Sequence, residues 1–162
     1  MTPMAIRAGI LTVSDKGSRG ERADTSGDAV RELLAGIGAH VERYEVVPDE
    51  RERIAGRLRA WSDEGIELVL TTGGTGLAAR DVTPEATLDV AERMAPGIAE
   101  AMRAEGMRHT HMAMLSRAAA VVRGRTLIIN LPGSEKGARE SLGAVIDALP
   151  HAVELLRGKT EH

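Results

Sequence analysis

The sequence TTGGTG at residues 71–76 follows the mainly apolar run IELVL at residues 66–70 and precedes RDVTP at residues 80–84. The apolar run has the length of a buried strand, and the Thr-Pro pair predicts a helix whose capping hydroxyl is Thr83. Glycines let the main chain approach an anion closely, and Thr72 and Thr75 add hydroxyl donors to the exposed amides. We call residues 71–76 the glycine loop. It predicts a phosphate site at a strand end, and a tight turn without a ligand is the alternative.

Outward from the glycine loop, short apolar runs alternate with helical patterns. Strands are predicted at residues 8–14, 41–47 and 66–71, with amphipathic helices between them. Two further runs, at residues 118–122 and 126–130, flank Arg-Gly-Arg and predict a β-hairpin. The order predicts an α/β fold: a three-layer α/β/α sandwich with a mainly parallel sheet and an antiparallel hairpin strand. No linker or repeat interrupts the pattern, so we expect residues 1–162 to form a single domain.

The helices of the second half are predicted in less detail. One is expected to run from Thr83 to about Met94, and a second from the Pro96-Gly97 interruption to Gly106. The final amphipathic helix begins after residue 134 and is expected to kink at Pro150, because proline removes a helical hydrogen bond.

Composition narrows the class of protein and its partners. Of the 162 residues, 43% are hydrophobic, 28% charged and only 1% aromatic, so the core is expected to be aliphatic. The net charge of −3 and the scarcity of aromatic side chains argue against a nucleic-acid surface. There is no cysteine, and residues 1–7 lack the apolar segment of a signal peptide. We therefore expect a cytoplasmic protein with no membrane partner.

Four segments follow predicted strands, and the carboxyl ends of parallel strands line the ligand crevice of an open α/β sheet. They are Ser14-Asp15, Pro48-Asp49-Glu50, the glycine loop, and NLPGS at residues 130–134. With Asp81, up to three carboxylates would surround a phosphate-binding loop. Such an arrangement repels an anion unless a divalent cation lies between, and Mg²⁺ suits one or two carboxylates plus substrate phosphates.

Each of these residues also has a purely structural interpretation. Asp49, with Glu52 three positions later, has the pattern of a capping box. Asp81 could form a local Asx turn, and Asp15 could be an ordinary polar loop residue. Pro132-Gly133 is a common turn dipeptide. At this point the functional and structural interpretations both stand.

Common nucleotide and metal motifs do not account for the glycine loop. The chain has no G-x-x-x-x-G-K-[ST] sequence. Residues 74–79 match G-x-G-x-x-[GA], but a loop rather than a helix follows them, so we reject a dinucleotide fold. His109 and His111 are two apart with no cysteine near them, which argues against zinc.

The combination of motifs resembles the MogA/MoaB family of molybdenum-cofactor biosynthesis. The resemblance rests on residues 71–87, VSD at 13–15, VPDE at 47–50, LSR at 115–117 and NLPGS at 130–134. It implies a molybdopterin-binding fold, commonly a homotrimer with a hexamer as the alternative. It also implies molybdopterin adenylylation from ATP with Mg²⁺, or, in some MoaB-type members, a non-catalytic molybdopterin-binding or scaffold module.

The resemblance carries over Asp49 and Asp81 as the essential residues, and both are our candidates for holding Mg²⁺. The residues expected to bind nucleotide or pterin are Ser14, Asp15, Thr72, Gly73, Gly74, Thr75, Gly76, Ser116, Asn130, Pro132, Gly133 and Ser134.

Overall fold

Six strands form one sheet in the computed structural model, which describes residues 4–159. The strands are β1 Ile6–Val13, β2 Ala39–Val47, β3 Leu68–Thr72, β4 Arg93–Met94, β5 Ala120–Arg123 and β6 Thr126–Leu131. Residues 1–3 and 160–162 lie outside the described range. The predicted single domain, residues 1–162, and the N-terminal segment 1–7 are therefore described only in part.

The strand order in the sheet is β2-β1-β3-β6-β5-β4. The strands β2, β1, β3 and β6 are parallel neighbours, whereas β5 is antiparallel to both β6 and β4. A two-residue turn joins β5 to β6, and its Gly124 has a φ of +58°, a region that favours glycine. The prediction of a mainly parallel sheet with an antiparallel hairpin is confirmed.

Helices cover both faces of the sheet. They are α1 Asp15–Ser18, α2 Thr25–Ala35, α3 Arg51–Asp63, α4 Thr83–Val90, α5 Pro96–Met107, α6 Glu135–Val145 and α7 Leu149–Leu156, with 3-10 segments at His111–Leu115 and Ile146–Ala148. Alternate residues of β3 face opposite layers, because Leu68 and Leu70 join the core under α2, α5, α6 and α7 while Val69 joins the core under α3 and α4. This is the three-layer α/β/α arrangement expected from the sequence.

Three helix boundaries differ from the prediction. Helix α4 ends at Val90 rather than near Met94, because Arg93 and Met94 pair with β5 as a short edge strand. The cap position of α4 is Val82, so Thr83 is inside the helix and its hydroxyl caps nothing. The last helix breaks at the 3-10 segment Ile146–Ala148, and Pro150 lies in the first turn of α7, where a missing N–H is tolerated.

The order of the strands in the sheet determines where the candidate site lies. From β1 the chain crosses to β2 on one side, and then returns to β3 on the other side of β1. A parallel sheet opens a crevice at such a reversal, beyond the carboxyl ends of its strands. The segments after β1, β2, β3 and β6 therefore meet at one edge of the sheet, as the sequence analysis expected.

Candidate functional site

The glycine loop is held against its neighbours by contacts that exclude a side chain. Gly73 has a φ of +92°, and a Cβ atom there would lie 2.3 Å from the carbonyl oxygen of Val13. Its N–H donates to the carbonyl oxygen of Leu131 at 3.0 Å. From the other side, a Cβ atom on Gly133 would lie 3.2 Å from the Cα of Gly73. The two predicted loops are thus in direct contact, and the glycines permit that closeness.

Asp15 and Asp49 connect the ends of β1 and β2. The Asp15 N–H donates to Asp49 Oδ2 at 3.0 Å, and the Asp49 N–H donates to Asp15 Oδ1 at 2.9 Å. The guanidinium of Arg80 donates to both oxygens of Asp15, at 3.0 and 2.7 Å. Because the cap of α3 is Glu50, with no side-chain hydrogen bond, the capping-box interpretation of Asp49 is wrong.

The charge on Asp49 is less well compensated than that on Asp15. Burial raises the pKa of Asp49, and the charges of Asp15 and Asp81 raise it further. The hydrogen bond from the Asp15 amide acts in the opposite direction but does not outweigh them. The Arg80 guanidinium, followed by the Asp49 amide, lowers the pKa of Asp15. The arrangement therefore leaves Asp49 as a carboxylate whose charge a nearby cation would stabilise.

Asp81 occupies the loop between the glycine loop and α4. Its Oδ2 accepts a hydrogen bond from the Ala78 N–H at 3.0 Å, which is a local turn contact of the kind that the structural interpretation expected. A Cβ atom on Gly76 would lie 2.9 Å from the same oxygen. The turn contact leaves Asp81 at the wall of a cavity that Asp49 also lines. The local and functional interpretations of Asp81 are therefore compatible.

A polar cavity of about 390 Å³ lies at the ends of β1, β2, β3 and β6. Among its lining residues are Ser14, Asp24, Asp49, Thr72, Gly73, Gly74, Asp81, Gly133 and Ser134. Ser14 and Ser134 also cap α1 and α6, since their hydroxyls accept from the Gly17 and Gly137 amides. This cavity, here called the polar cavity, unites both candidate catalytic aspartates with half of the glycine loop.

A second cavity of about 290 Å³ lies between α5, the 3-10 segment His111–Leu115 and α6. Its lining includes Thr75, Gly76, Met102, Met112, Leu115, Ser116, Asn130, Pro132 and Ser134. We call it the apolar cavity. Ser134 lines both cavities, and the glycine loop contributes Gly73 and Gly74 to one and Thr75 and Gly76 to the other. The predicted site is therefore divided into two adjacent compartments.

Asn130 is fully buried, and its side chain makes three structural hydrogen bonds. Its Nδ2 donates to the hydroxyls of Thr71 and Thr87, at 3.0 and 2.9 Å, and its Oδ1 accepts from the Ala119 N–H at 3.0 Å. These contacts join β6 to β3, α4 and the segment before β5. Asn130 thus supports the wall between the sheet and the apolar cavity with its polar atoms already paired.

Asp24 also belongs to the site, although its sequence position did not predict this. Its Oδ2 accepts from Thr12 at 2.6 Å and from Tyr44 at 2.5 Å, and its Oδ1 accepts from the Ser26 hydroxyl and the Gly27 amide. Burial favours a raised pKa for Asp24, but the Thr12 and Tyr44 hydroxyls and the remaining two donors outweigh it and hold the pKa below its ordinary value. Its position as the cap of α2 was predictable, whereas its partners on β1 and β2 were not.

Asp24→Asn is expected to lower the free energy of unfolding by about 1–3 kcal/mol at neutral pH, because an amide leaves part of this donor cluster unpaired. A carboxyl with a lowered folded pKa stabilises the protein above its unfolded pKa, and the benefit is lost as pH falls through the folded pKa. Urea unfolding from pH 7 to pH 3 should therefore show the difference between wild type and variant shrinking. Asp28→Asn, on the exposed face of the same helical turn, is the control and should change stability much less. A difference between wild type and variant that is as large at pH 3 as at pH 7 would contradict the role given to the Asp24 charge.

Two carboxylates, rather than a complete cage, are available for a metal ion. Within residues 4–159, no group of three or more His, Cys, Asp or Glu side chains is arranged to hold one. Asp49 and Asp81 nevertheless line one cavity next to the glycine loop. Mg²⁺ commonly binds through one or two carboxylates together with substrate phosphates, so this donor set fits a magnesium ion delivered with a nucleotide.

Residues 9–151 match the model of a family described as a probable molybdopterin binding domain. The chain belongs to this family. The molybdopterin adenylyltransferase of Helicobacter pylori strain J99 is 45% identical over 156 residues, covering 94% of this chain and 89% of the relative. That of Escherichia coli K12 is 39% identical over 168 residues, covering 94% and 86%.

Among solved structures, the molybdopterin biosynthesis enzyme MoaB of Thermus thermophilus is similar to this chain with a TM-score of 0.90. The two are 62% identical, and the match covers 95% of this chain and 98% of the other. The family and the fold inferred from the glycine loop and its partner motifs are thereby confirmed. In the described part of the chain, no helix is both long and apolar enough to cross a membrane.

Proposed function

We propose that this chain is a molybdopterin adenylyltransferase, which transfers the adenylyl group of ATP to the terminal phosphate of molybdopterin. An oxygen of that phosphate attacks the α-phosphorus of ATP, the bond from the α-phosphorus to the bridging oxygen breaks, and pyrophosphate leaves. The observation that carries the proposal is the pair of adjacent cavities that share the glycine loop. One compartment holds Asp49 and Asp81, and the other is lined by apolar side chains.

The polar cavity is suited to the reacting phosphates. The glycine loop brings the Gly73 and Gly74 main chain to its wall, where no side chain obstructs an anion. Asp49 and Asp81 would hold Mg²⁺, which neutralises charge on the nucleotide phosphates when it is bound. Phosphoryl and nucleotidyl transfer needs positioned reactants more than a protein nucleophile. We therefore assign to the residues of this cavity the role of aligning the reacting phosphates.

The apolar cavity is suited to a heterocyclic ring system. Met102, Met112 and Leu115 line it, and the thioether sulfur of methionine makes favourable contacts with aromatic rings. This chain has only one Trp and one Tyr, and the cavity is lined by neither. Methionine and leucine side chains would then pack against the ring system, as aromatic side chains do in other proteins. Ser116 and Ser134 add polar atoms at its edges.

The proposed working form is a cytoplasmic homotrimer of one-domain chains. ATP as a substrate favours the cytoplasm. Support for an assembly comes from large apolar side chains that are exposed in the single chain, namely Leu88, Met94, Met112 and Met114. Small-molecule substrates, rather than nucleic acid or a membrane, are the proposed partners, and sedimentation or mass photometry would distinguish a trimer from a hexamer.

Purified protein incubated with molybdopterin, ATP and Mg²⁺ is expected to form many equivalents of adenylyl-molybdopterin, with matching pyrophosphate. A non-catalytic molybdopterin-binding module would instead retain the pterin and release no pyrophosphate. Omitting Mg²⁺, or adding EDTA, should abolish turnover and leave pterin binding in place. Pterin retention without product under saturating Mg-ATP would overturn the proposed activity in favour of the binding module.

A further inference from the structure

Arg117 makes four hydrogen bonds to the segment that begins in the glycine loop and ends in α4. Its main-chain N–H donates to the Thr75 carbonyl oxygen at 2.8 Å. Its guanidinium donates from Nε to the Gly76 carbonyl at 2.8 Å, from Nη2 to the Asp81 carbonyl at 2.7 Å, and from Nη1 to the Glu85 carboxylate. All three nitrogens of one side chain are therefore committed to this segment.

The part of the segment between these contacts has little support of its own. Residues 77–80 are exposed, with Leu77 66% exposed. Inside this tip, the Asp81 N–H donates to the Ala78 carbonyl at 2.9 Å, and the Ala78 N–H donates to the Asp81 carboxylate at 3.0 Å. These bonds shape the turn, and the exposed Arg80 side chain joins it to the Asp15 carboxylate, but they do not attach its main chain to the body of the protein. Arg117 attaches it at both ends, through Gly76 and Asp81.

We propose that Arg117 is a positioning residue that sets the location of the Asp81 carboxylate relative to Asp49 and the glycine loop. Arg117 lines neither cavity, so it acts through the Gly76 and Asp81 main chain rather than on the substrate. Glu85 fixes the guanidinium from the far side, and the ion pair lowers the pKa of Glu85. As far as catalysis is concerned, this inference rests on the adenylyl transfer proposed above.

The chemistry of arginine matters here. Its guanidinium is a rigid planar fork whose donors point in different directions, and it therefore reaches Gly76, Asp81 and Glu85 together. A lysine ammonium has the charge but is a single point, so it can satisfy Glu85 and at most part of the main chain. Arg117→Lys is accordingly expected to recover only part of the function, whereas Arg117→Met keeps the apolar stem and loses every guanidinium contact.

The test combines amide hydrogen exchange with kinetics on wild type, Arg117→Met and Arg117→Lys. In Arg117→Met, exchange of the hydrogen-bonded Ala78 and Asp81 amides should accelerate about tenfold or more, with the sheet amides unchanged. Turnover should fall about 10–100-fold, and the Mg²⁺ concentration for half-maximal rate should rise, as expected for loss of a group that orients a metal ligand. Arg43→Met is the matched control, because it breaks an exposed Arg–Glu pair at 2.8 Å far from the loop. It should change none of these quantities.

The outcomes separate this inference from the proposed function. Unchanged loop exchange in Arg117→Met would overturn the inference whatever the activity of the wild type. Faster exchange with unchanged turnover and Mg²⁺ dependence would overturn the positioning role. A wild type that forms no product would contradict the proposed function. Amide hydrogen exchange of the loop and a titration of Mg-ATP binding to wild type and Arg117→Met would then still decide the role of Arg117. If Arg117→Met does not fold, Arg117→Lys carries the same comparison.

Discussion

Asp81→Asn is expected to lower the rate of adenylyl transfer about 10²–10³-fold, the size typical of removing one group that stabilises transition-state charge. The substitution keeps the shape of the side chain, and its amide oxygen can still accept from the Ala78 N–H. The loop should therefore keep its conformation while losing the charge that we propose holds Mg²⁺. Steady-state kinetics, with a thermal melt to verify folding, measure the effect.

Two comparisons sharpen this prediction. Asp89→Asn removes a carboxylate on α4 that pairs with Arg51 away from both cavities, and it should leave turnover unchanged. The double variant Asp49→Asn/Asp81→Asn should be little worse than either single variant, because residues acting on one ion lose their effects together. A folded Asp81→Asn protein that adenylylates at the wild-type rate would remove Asp81 from the mechanism.

Gly73→Ala is expected to reduce both stability and activity. A Cβ atom would meet the Val13 carbonyl oxygen at 2.3 Å with φ at +92°, so the loop must shift away from β1. Strain of this kind costs about 1–3 kcal/mol before the steric clash is added. For a chain of this size, the melting temperature should fall by roughly 5–10 °C. Turnover should fall with it, because the displaced loop changes the wall of the polar cavity that Gly73 and Gly74 line.

Gly143→Ala provides the matched control for the glycine loop. Gly143 lies on the exposed face of α6, and nothing is within 4 Å of the position that its Cβ would occupy. The same substitution there should raise stability by about 0.5–1 kcal/mol, since alanine is the better helix former. A Gly73→Ala variant with the melting temperature of the wild type would show that the loop does not need its observed conformation.

The elements that sequence analysis located well are those whose signal is local. The apolar run of β3 ends in consecutive glycines, and Arg-Gly-Arg marks the tight turn between β5 and β6. Elements that depend on distant pairing were placed less well. Arg93 and Met94 leave the helical pattern because β5, almost thirty residues later, offers an edge. Thr83 was expected to cap α4, but its N–H donates to the Gly74 carbonyl at 3.1 Å and the helix begins one residue early.

The candidate site shows the same division. The position of Asp49 and Asp81 at the polar cavity was predictable, because each follows a strand or the glycine loop, where ligand-binding carboxylates are common. Asn130 stood in an equally suggestive position, yet its amide is used by Thr71 and Thr87, which are distant in sequence. Arg117 was part of a recognised motif without a role, because Gly76 and Asp81 lie 41 and 36 positions away. Partner identity across such separations is decided by tertiary structure.

The most direct test of the proposed adenylyl transfer follows two labels through one reaction. With molybdopterin and Mg²⁺ present, ATP labelled at the α-phosphorus should transfer its label to the pterin fraction, and ATP labelled at the γ-phosphorus should release its label as pyrophosphate in equal amount. Both transfers should be lost together in Asp81→Asn. Label from the γ-position appearing on the pterin or as free phosphate, or no α-label on the pterin under saturating substrates, would contradict adenylyl transfer.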